Sequence, residues 1–393
     1  MIEAVIVAGR RTAIGTAFKG SLARVSAFDL TRAVVDDLIA RTGLSPADID
    51  DLVIAENLYG GGVIARNVAV AAGFASVPGL ALNRHCASGL SAVTTAAANI
   101  AAGMQRVVVA GGVNSQSTSP QSTWRDPATG KVYERWISPS HPETATAPAT
   151  DMTITVGHNT AVQHGLTRND MDAWTLESHR KAIAAIDDGR LAGEIVPIEI
   201  DRGDGTRSVF GVDEHPRRGG SLEKLAALNV LHPEIEGFQI TAANSAGLND
   251  AAAALVVMSA ARASELGLRP LATIRSWASV GVVPERTGSA PIEAIRRALQ
   301  LGGARSISDV AAWEINEAFA AVPLAVSRAL EIDPAKVNPV GSGCSLGHPI
   351  AASGARMLIS LVNELRRRGG GAGVAAMCAG GGMGSAVLVD VQA

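Results

Sequence analysis

Short apolar runs alternate along this chain with stretches of helical period. Residues 3 to 8, EAVIVA, read as a buried strand, and 52 to 55 as another. Between them Ser26 and Asp29 have the spacing of a helix cap, Leu30, Val34 and Leu38 fall on one face, and Gly43 closes the helix. Residues 83 to 103, NRHCASGLSAVTTAAANIAAG, predict a helix of almost nothing but small residues, and a helix without charges on any face is a buried one. The strand RVVVAGG follows at 106 to 112.

The last third repeats this order. A strand at 271 to 281 precedes a helix from Pro291 to Leu301 closed by Gly302, then come the strand 311 to 315, a helix over 352 to 370 and a glycine-flanked strand at 373 to 382. Asp51-Leu52-Val53 and Asp309-Val310-Ala311 open comparable strands, with Cys86 35 residues after Asp51 and His348 39 after Asp309. A duplicated α/β unit facing its copy would place those two at matching helix starts. Chance similarity of two βα units is the alternative.

Between the copies the texture changes. Residues 114 to 150 are dense in Ser, Thr and Pro, too long a stretch to be a plain connection, and read as loops covering a site. A helix begins at Thr167 with Asp170 as capping partner and is expected to carry Met171, Trp174 and Leu176 inward. The polar run 201 to 224 is either a ligand platform or a solvated loop.

At 393 residues the chain is about twice the usual size of a domain, so two or three packed units are expected. With 34 basic and 37 acidic residues, the formal charge of -3 implies no broad field for nucleic acid or an anionic membrane. No window reaches the roughly 18 apolar residues of a membrane span, and the N-terminus lacks the order of a secretory signal. Three scattered cysteines, 86, 344 and 378, argue for free thiols in a reducing compartment, hence a cytoplasmic protein.

The chemistry-bearing candidates are Cys86, His348, Cys378 and Asn316. Cys86 stands where a loop turns into the small-residue helix, and a thiol at a helix N-terminus has its thiolate stabilised by the macrodipole. Taken alone it is either a nucleophile or a small packing cysteine. His348, with Pro349 suited to a first helical turn, stands before the second such helix and is either a proton acceptor or a structural histidine. Cys378 ends an apolar strand and precedes AGGGMG, whose free N–H groups have the character of an oxyanion hole.

Together these segments resemble the thiolase family of acyl-CoA acyltransferases. The resemblance rests on NRHCASGLSAV around Cys86, TAANSAGLNDAAAA at 241 to 254, NEAFA at 316 to 320, NPVGSGCSLGHPIAASGAR at 338 to 356 and CAGGGMG at 378 to 384. RTAIGTAFKGSL at 11 to 22 and AGGVNS at 110 to 115 fit further landmarks, so it spans nearly the whole chain. It implies a five-layer αβαβα fold with two duplicated halves, residues 1–118 with 249–268 and residues 269–393, and a loop domain over 119–248 covering CoA and substrate.

The resemblance also implies acyl transfer through a thioester on Cys86, with His348 as its base, and reversible Claisen condensation or thiolysis of a 3-ketoacyl-CoA. Cys378 would take the α-proton, Asn316 would position a water, and the N–H groups of Cys86 and Gly380 would form an oxyanion hole. Arg217, Ser245, Ala246, Ala318 and Phe319 match positions at CoA or substrate. Acyl-CoA and CoA would be substrates, with no tightly bound cofactor and no metal, in a homodimer or homotetramer. Cys344, where relatives carry an apolar residue, is read as packing.

Two departures bear on substrate. Ala246 stands where the family commonly has a serine touching the pantetheine arm, with Ser245 one place earlier. The usual Met-Gly-x-Thr-Ala-Glu-Asn falls on Thr153 to Asn159, TITVGHN, which keeps little beyond Asn159. Other readings are a decarboxylating condensing enzyme, a CoA-thioester binder that has lost catalysis, a dinucleotide oxidoreductase and a metal site. The intact set of four argues against the first two. The glycine runs lack the G-x-G-x-x-G context for the third, and Cys344 and His348 have no CxxC or HxxxH companion for the fourth.

Overall fold

The computed structural model describes residues 2–59, 63–201 and 203–392, so Arg202 of the polar 201 to 224 run lies outside the described residues. The first half holds β1 (Ala4–Thr12), α1 (Ala27–Thr42), β2 (Asp51–Ala55), α2 (Val63–Ala71), β3 (Gly79–Leu82), α3 (Ser88–Ala101) and β4 (Val107–Asn114). A middle segment containing α4 (Arg168–Asp187) leads to β5 (Asn249–Ser259), which returns to the first half. The second half comprises β6 (Ala272–Gly281), α5 (Ala290–Leu301), β7 (Val310–Ile315), α6 (Ala321–Ala329), α7 (Ile350–Arg367), β8 (Gly371–Ala379) and β9 (Met383–Val391).

The two halves are copies in topology. In the first, β2 pairs parallel with β4, β4 antiparallel with β5 and β5 antiparallel with β1. The second repeats this with β7, β8, β9 and β6. Even the approach is repeated: a 3₁₀ turn with a capping box, Ser45 with Asp48 and Ser306 with Asp309, leads into β2 and into β7. The equivalent strands β1 and β6 meet antiparallel, Val5 opposite Thr273 and Ile6 opposite Ala272, the arrangement a pseudo-twofold axis between copies produces.

Five layers result. Val107 and Val109 of β4 join the cluster under α1, whereas Val108 and Ala110 join that around α3 and α7, the period of two of a strand covered on both faces. The α3 and α7 pair lies between the two halves of the sheet, which are joined only through β1 and β6, with Leu90, Val93, Met357 and Leu361 against Ile6, Leu255 and Val387. On the far face Ile292, Ile295 and Leu299 of α5 and Val326 of α6 cover Trp313 and Leu388.

Glycine sets the spacing of that central pair. A Cβ on Gly89 of α3 would lie 2.7 Å from the carbonyl oxygen of Ala351 and 2.8 Å from the nitrogen of Ala355, and one on Gly354 of α7 would lie 2.9 Å from Cγ of Leu90. The contacts join the first turn of α3 to the first two turns of α7, so both N-termini open at one corner.

The middle segment is tied to β1 through buried charge. Arg11 donates to Glu194 at 2.7 Å and to both oxygens of Asp213 at 2.8 Å, all three side chains being almost wholly buried. Burial penalises the guanidinium, but the two carboxylates outweigh that and hold its pKa above the ordinary value. The 201 to 224 run includes part of a hairpin, Ile198–Asp201 with Arg207–Phe210, and the short helix Leu222–Ala226. No helix among the described residues is long and apolar enough to cross a membrane.

Two expectations are corrected. The 83 to 103 helix begins only at Ser88, because residues 83 to 87 are held in a tight turn by side-chain bonds to their own backbone. On α4 the capping box of Thr167 and Asp170 is present, and Met171 and the half-buried Trp174 do pack inward, together with Thr175, Ser178 and His179, but Leu176 does not join them. At 3.6 residues per turn Leu176 points about 140° away from Met171.

Because Gly89 has no room for a methyl group, Gly89→Ala is expected to cost about 1–3 kcal/mol in chemical denaturation. Gly193→Ala, with nothing within 4 Å, serves as control and should change stability by less than about 0.5 kcal/mol. Equal stabilities would show that the helix pair relaxes freely.

Candidate active site

Cys86 is presented by the turn ahead of α3. Asn83 Oδ1 accepts from the N–H of His85 at 2.8 Å, and Ser88 Oγ accepts from the N–H of Arg84 at 2.7 Å while donating to the His85 carbonyl at 2.6 Å. His85 is forced to φ of 45°, a left-handed conformation that histidine tolerates better than most side chains. The N–H groups of Gly380, in the glycine turn after β8, and of Cys86 itself lie near the sulfur and offset part of its desolvation.

Those donors do not make the thiol acidic. Burial pushes Cys86 up to about 11, and the two amides recover only part of the shift. The expectation of a macrodipole-stabilised thiolate is therefore corrected: Cys86 precedes the first helical residue, Ser88, by two, and desolvation dominates. Cys378, the next-to-last residue of β8, is fully buried where Cys86 is half-buried, and its pKa is raised by burial and by the neighbouring Cys86 sulfur.

His348 follows Gly347, whose φ of 106° and contact with Asn249 leave no place for a side chain. The His348 N–H donates to Asn249 Oδ1 at 2.9 Å. Pro349 is the cap residue of α7 rather than its first turn, and Ile350 opens the helix. Ser353 Oγ donates to the Pro349 carbonyl at 3.0 Å, so its 2.7 Å contact with Nδ1 is accepted from an Nδ1–H. Nε2 then carries the lone pair, toward which Asn316 Nδ2 points at 3.4 Å. Burial and the nearby Arg356 cation lower the imidazole to about 3, so it rests neutral with a free base on Nε2.

Asn316 follows β7, its N–H bonded to the Ala376 carbonyl at 3.0 Å, two residues before Cys378 on β8. Its buried Oδ1 has no partner among the described residues. The strand end thus carries Asn316 and Cys378 side by side, and the helix corner supplies Cys86 and His348. The predicted residues Cys86, Cys378, Gly380, His348 and Asn316 are brought to one place.

The other predicted positions fall into two groups. Ser245 bridges to Phe319, and the Ala246 N–H donates to the Ala318 carbonyl at 2.9 Å, so these four form one rim beside Asn316. The Ser245 hydroxyl donates inward to Thr241 O at 2.7 Å. Arg217 is exposed, its backbone N–H on Nδ1 of His179 at 3.2 Å. Cys344 is buried as a packing residue, its sulfur 3.5 Å from the Glu317 carbonyl.

The divergent segment forms a π-helical turn, Thr153–His158, a form frequent at functional sites. Gly157 faces Phe319 where a Cβ would lie 2.9 Å from its ring, and Asn159 donates to the Thr146 carbonyl at 2.8 Å. The Ser- and Pro-rich loop reaches the site, with the Ser140 carbonyl against Gly381.

Three supporting residues were missed from sequence. Ser353 and Asn249 orient His348, and buried Glu317 accepts from Trp174 at 2.9 Å, Ser178 at 2.6 Å, Asn338 at 2.8 Å and the Cys344 N–H at 3.1 Å, fixing the turn after Asn316. Each lies inside a quoted motif, but a motif does not say which of its polar residues face one another.

Comparison with known proteins gives a consistent result. The family model described as thiolase, N-terminal domain, matches residues 4–261, and that for thiolase, C-terminal domain, matches residues 268–391. The acetyl-CoA acetyltransferase of Pseudomonas aeruginosa is 42% identical over 396 residues, covering 99% of both chains. The 3-ketoacyl-CoA thiolase of Bacillus subtilis is 38% identical, covering 100% of both. Crystal structures of the Bacillus anthracis acetyl-CoA acetyltransferase and the human mitochondrial 3-ketoacyl-CoA thiolase superpose with TM-scores of 0.90 and 0.89, at 38% and 31% identity, over 100% of this chain and 99% of theirs.

A thiol raised to about 11 beside an imidazole lowered to about 3 is a neutral pair at rest. Alkylation of Cys86 by iodoacetamide, followed by peptide mass spectrometry, should therefore quicken about tenfold per pH unit from about pH 7 to 9. A rate already level below neutrality would mean a resting thiolate–imidazolium pair instead.

Proposed function

The chain belongs to the thiolase family and is a thiolase-type acyltransferase, and from that premise we propose that it joins acetyl-CoA to an acyl-CoA, or cleaves a 3-ketoacyl-CoA with CoA, through an acyl thioester on Cys86. The observation that carries this is the convergence on the Cys86 sulfur of the Gly380 N–H, Cys378 and the corner that holds His348.

In the first half-reaction the sulfur attacks the thioester carbon, Nε2 of His348 takes the thiol proton, and the departing CoA sulfur receives it. The carbonyl oxygen becomes an oxyanion held by the N–H groups of Cys86 and Gly380. In the second, Cys378 passes its thiol proton to Nε2 of His348 and, as thiolate, removes an α-proton from acetyl-CoA. Burial and the adjacent sulfur make that thiolate a strong base, which a thioester α-carbon demands. The enolate oxygen is held by the Nε2–H of His348 and by a water positioned by Asn316, whose buried Oδ1 has no partner among the described residues. The carbanion then attacks the acyl carbon, and Cys86 leaves as a thiolate that takes the proton from Nε2 of His348, restoring the resting site.

Arg217 meets a CoA phosphate through its exposed charge, and Ser245, Ala246, Ala318 and Phe319 border the pantetheine and acyl groups. With Ala246 in place of a serine and the Ser245 proton committed to Thr241, one hydrogen bond to the pantetheine arm is lost. Residues 119–248 act as the covering domain over halves 1–118 with 249–268 and 269–393. The same reading takes acyl-CoA and CoA as substrates, with no tightly bound cofactor, for a cytoplasmic homodimer or homotetramer.

Intact-protein mass spectrometry with acetyl-CoA is expected to show one acetyl group, mapped to Cys86. Cys86→Ala should abolish both the adduct and turnover, a loss of at least about a thousandfold. Cys378→Ala should still acetylate Cys86 yet lose condensation. Turnover retained by Cys86→Ala would overturn the mechanism, and loss of acylation in Cys378→Ala would assign that residue a structural role.

A further inference from the structure

The residue before the nucleophile is not used by this mechanism. His85 is half-buried and makes no side-chain hydrogen bond among the described residues. Its imidazole and the thioether of Met152 both flank Gly380, Cγ of His85 lying 3.9 Å and the Met152 sulfur 3.4 Å from the point where a Gly380 side chain would begin. The N–H of that glycine lies near the Cys86 sulfur, so His85 stands one residue from the reacting atom. Burial, assisted by His141, keeps His85 below the ordinary imidazole range, and it rests neutral with one donor and one acceptor. The ring nitrogens of His141 are committed, to Ser140 Oγ at 2.8 Å and to the Ala147 carbonyl at 3.0 Å. His85 is the half-buried polar group here left with its bonding capacity unspent.

We propose that His85 selects the acyl group, its imidazole hydrogen-bonding a hydroxyl or keto oxygen carried on the acyl chain a few carbons from the thioester. This rests on the reading of Cys86 as the acyl carrier. A plain hydrocarbon chain in the same place strips water from the imidazole and returns no hydrogen bond, whereas an oxygen-bearing chain satisfies it. A site built around such a group discriminates against the isostere that lacks the partner more strongly than an apolar pocket discriminates by size.

The test compares Cys86 acylation by matched thioesters, 4-hydroxybutyryl-CoA against pentanoyl-CoA and 5-hydroxypentanoyl-CoA against hexanoyl-CoA, with acetyl-CoA as reference. The wild-type protein should load the hydroxy member of at least one pair about tenfold faster or more. His85→Gly suits the positive φ and removes the imidazole, and should bring that ratio close to one. His85→Gln restores a hydrogen-bonding group and should recover part of it. Equal loading of both pairs by the wild type, or a preference that survives in His85→Gly, would overturn the proposal. If acetyl-CoA itself fails to load Cys86, the underlying reading fails and takes this one with it; acetyl loading without hydroxyl preference defeats the selectivity alone.

Discussion

Everything at the active site depends on how closely two buried helices approach. Gly89 and Gly354 let the first turn of α3 and the first two turns of α7 touch through their backbones, and the residues just ahead of those turns, Cys86 and His348, are delivered to one corner. The absence of side chains there explains the composition where the helices meet, since alanine, serine and glycine are what fits between two backbones at that distance. A one-atom enlargement acts on the relative position of two catalytic groups as well as on stability, because the packed interior transmits the shift.

Close packing also fixes the electrostatics. Excluding water raises both thiols and lowers the imidazole, so the site holds its groups uncharged until a substrate arrives. What the protein prepares is a set of oriented dipoles: two N–H groups at the Cys86 sulfur and an imidazole whose tautomer is set by Ser353. Charge appears only as bonds change, at the positions where donors already point, and in a low dielectric such donors act strongly.

Much of this was legible in the chain. The repeated order of strand and helix gave the two copies and their register, because buried β and α segments carry different periods. Caps such as Ser26 with Gly43, and Thr167 with Asp170, marked helix ends correctly because their chemistry is local. The start of α3 was not legible, since Ser88 and Asn83 spend their side chains on a turn that competes with the helix. The acidity expected of Cys86 failed for a related reason: a helix terminus is visible in sequence, whereas desolvation comes from residues far along the chain. The roles of Ser353, Asn249 and Glu317 were hidden likewise, as each acts on a partner that only the fold brings near.

The pseudo-twofold axis that relates the halves passes between two corners that are equivalent in topology and unlike in chemistry. An assembly of two identical units about such an axis would bring two thiols, or two imidazoles, to the meeting point, and neither pair sets a sulfur nucleophile beside an imidazole base. Covalent fusion of the copies removes that restriction, because each can then change its corner residue independently while keeping the backbone that makes the corners meet. The asymmetry the site needs is thus a property of a single long chain, and the symmetric scaffold around it is the record of how that chain could be built from one unit.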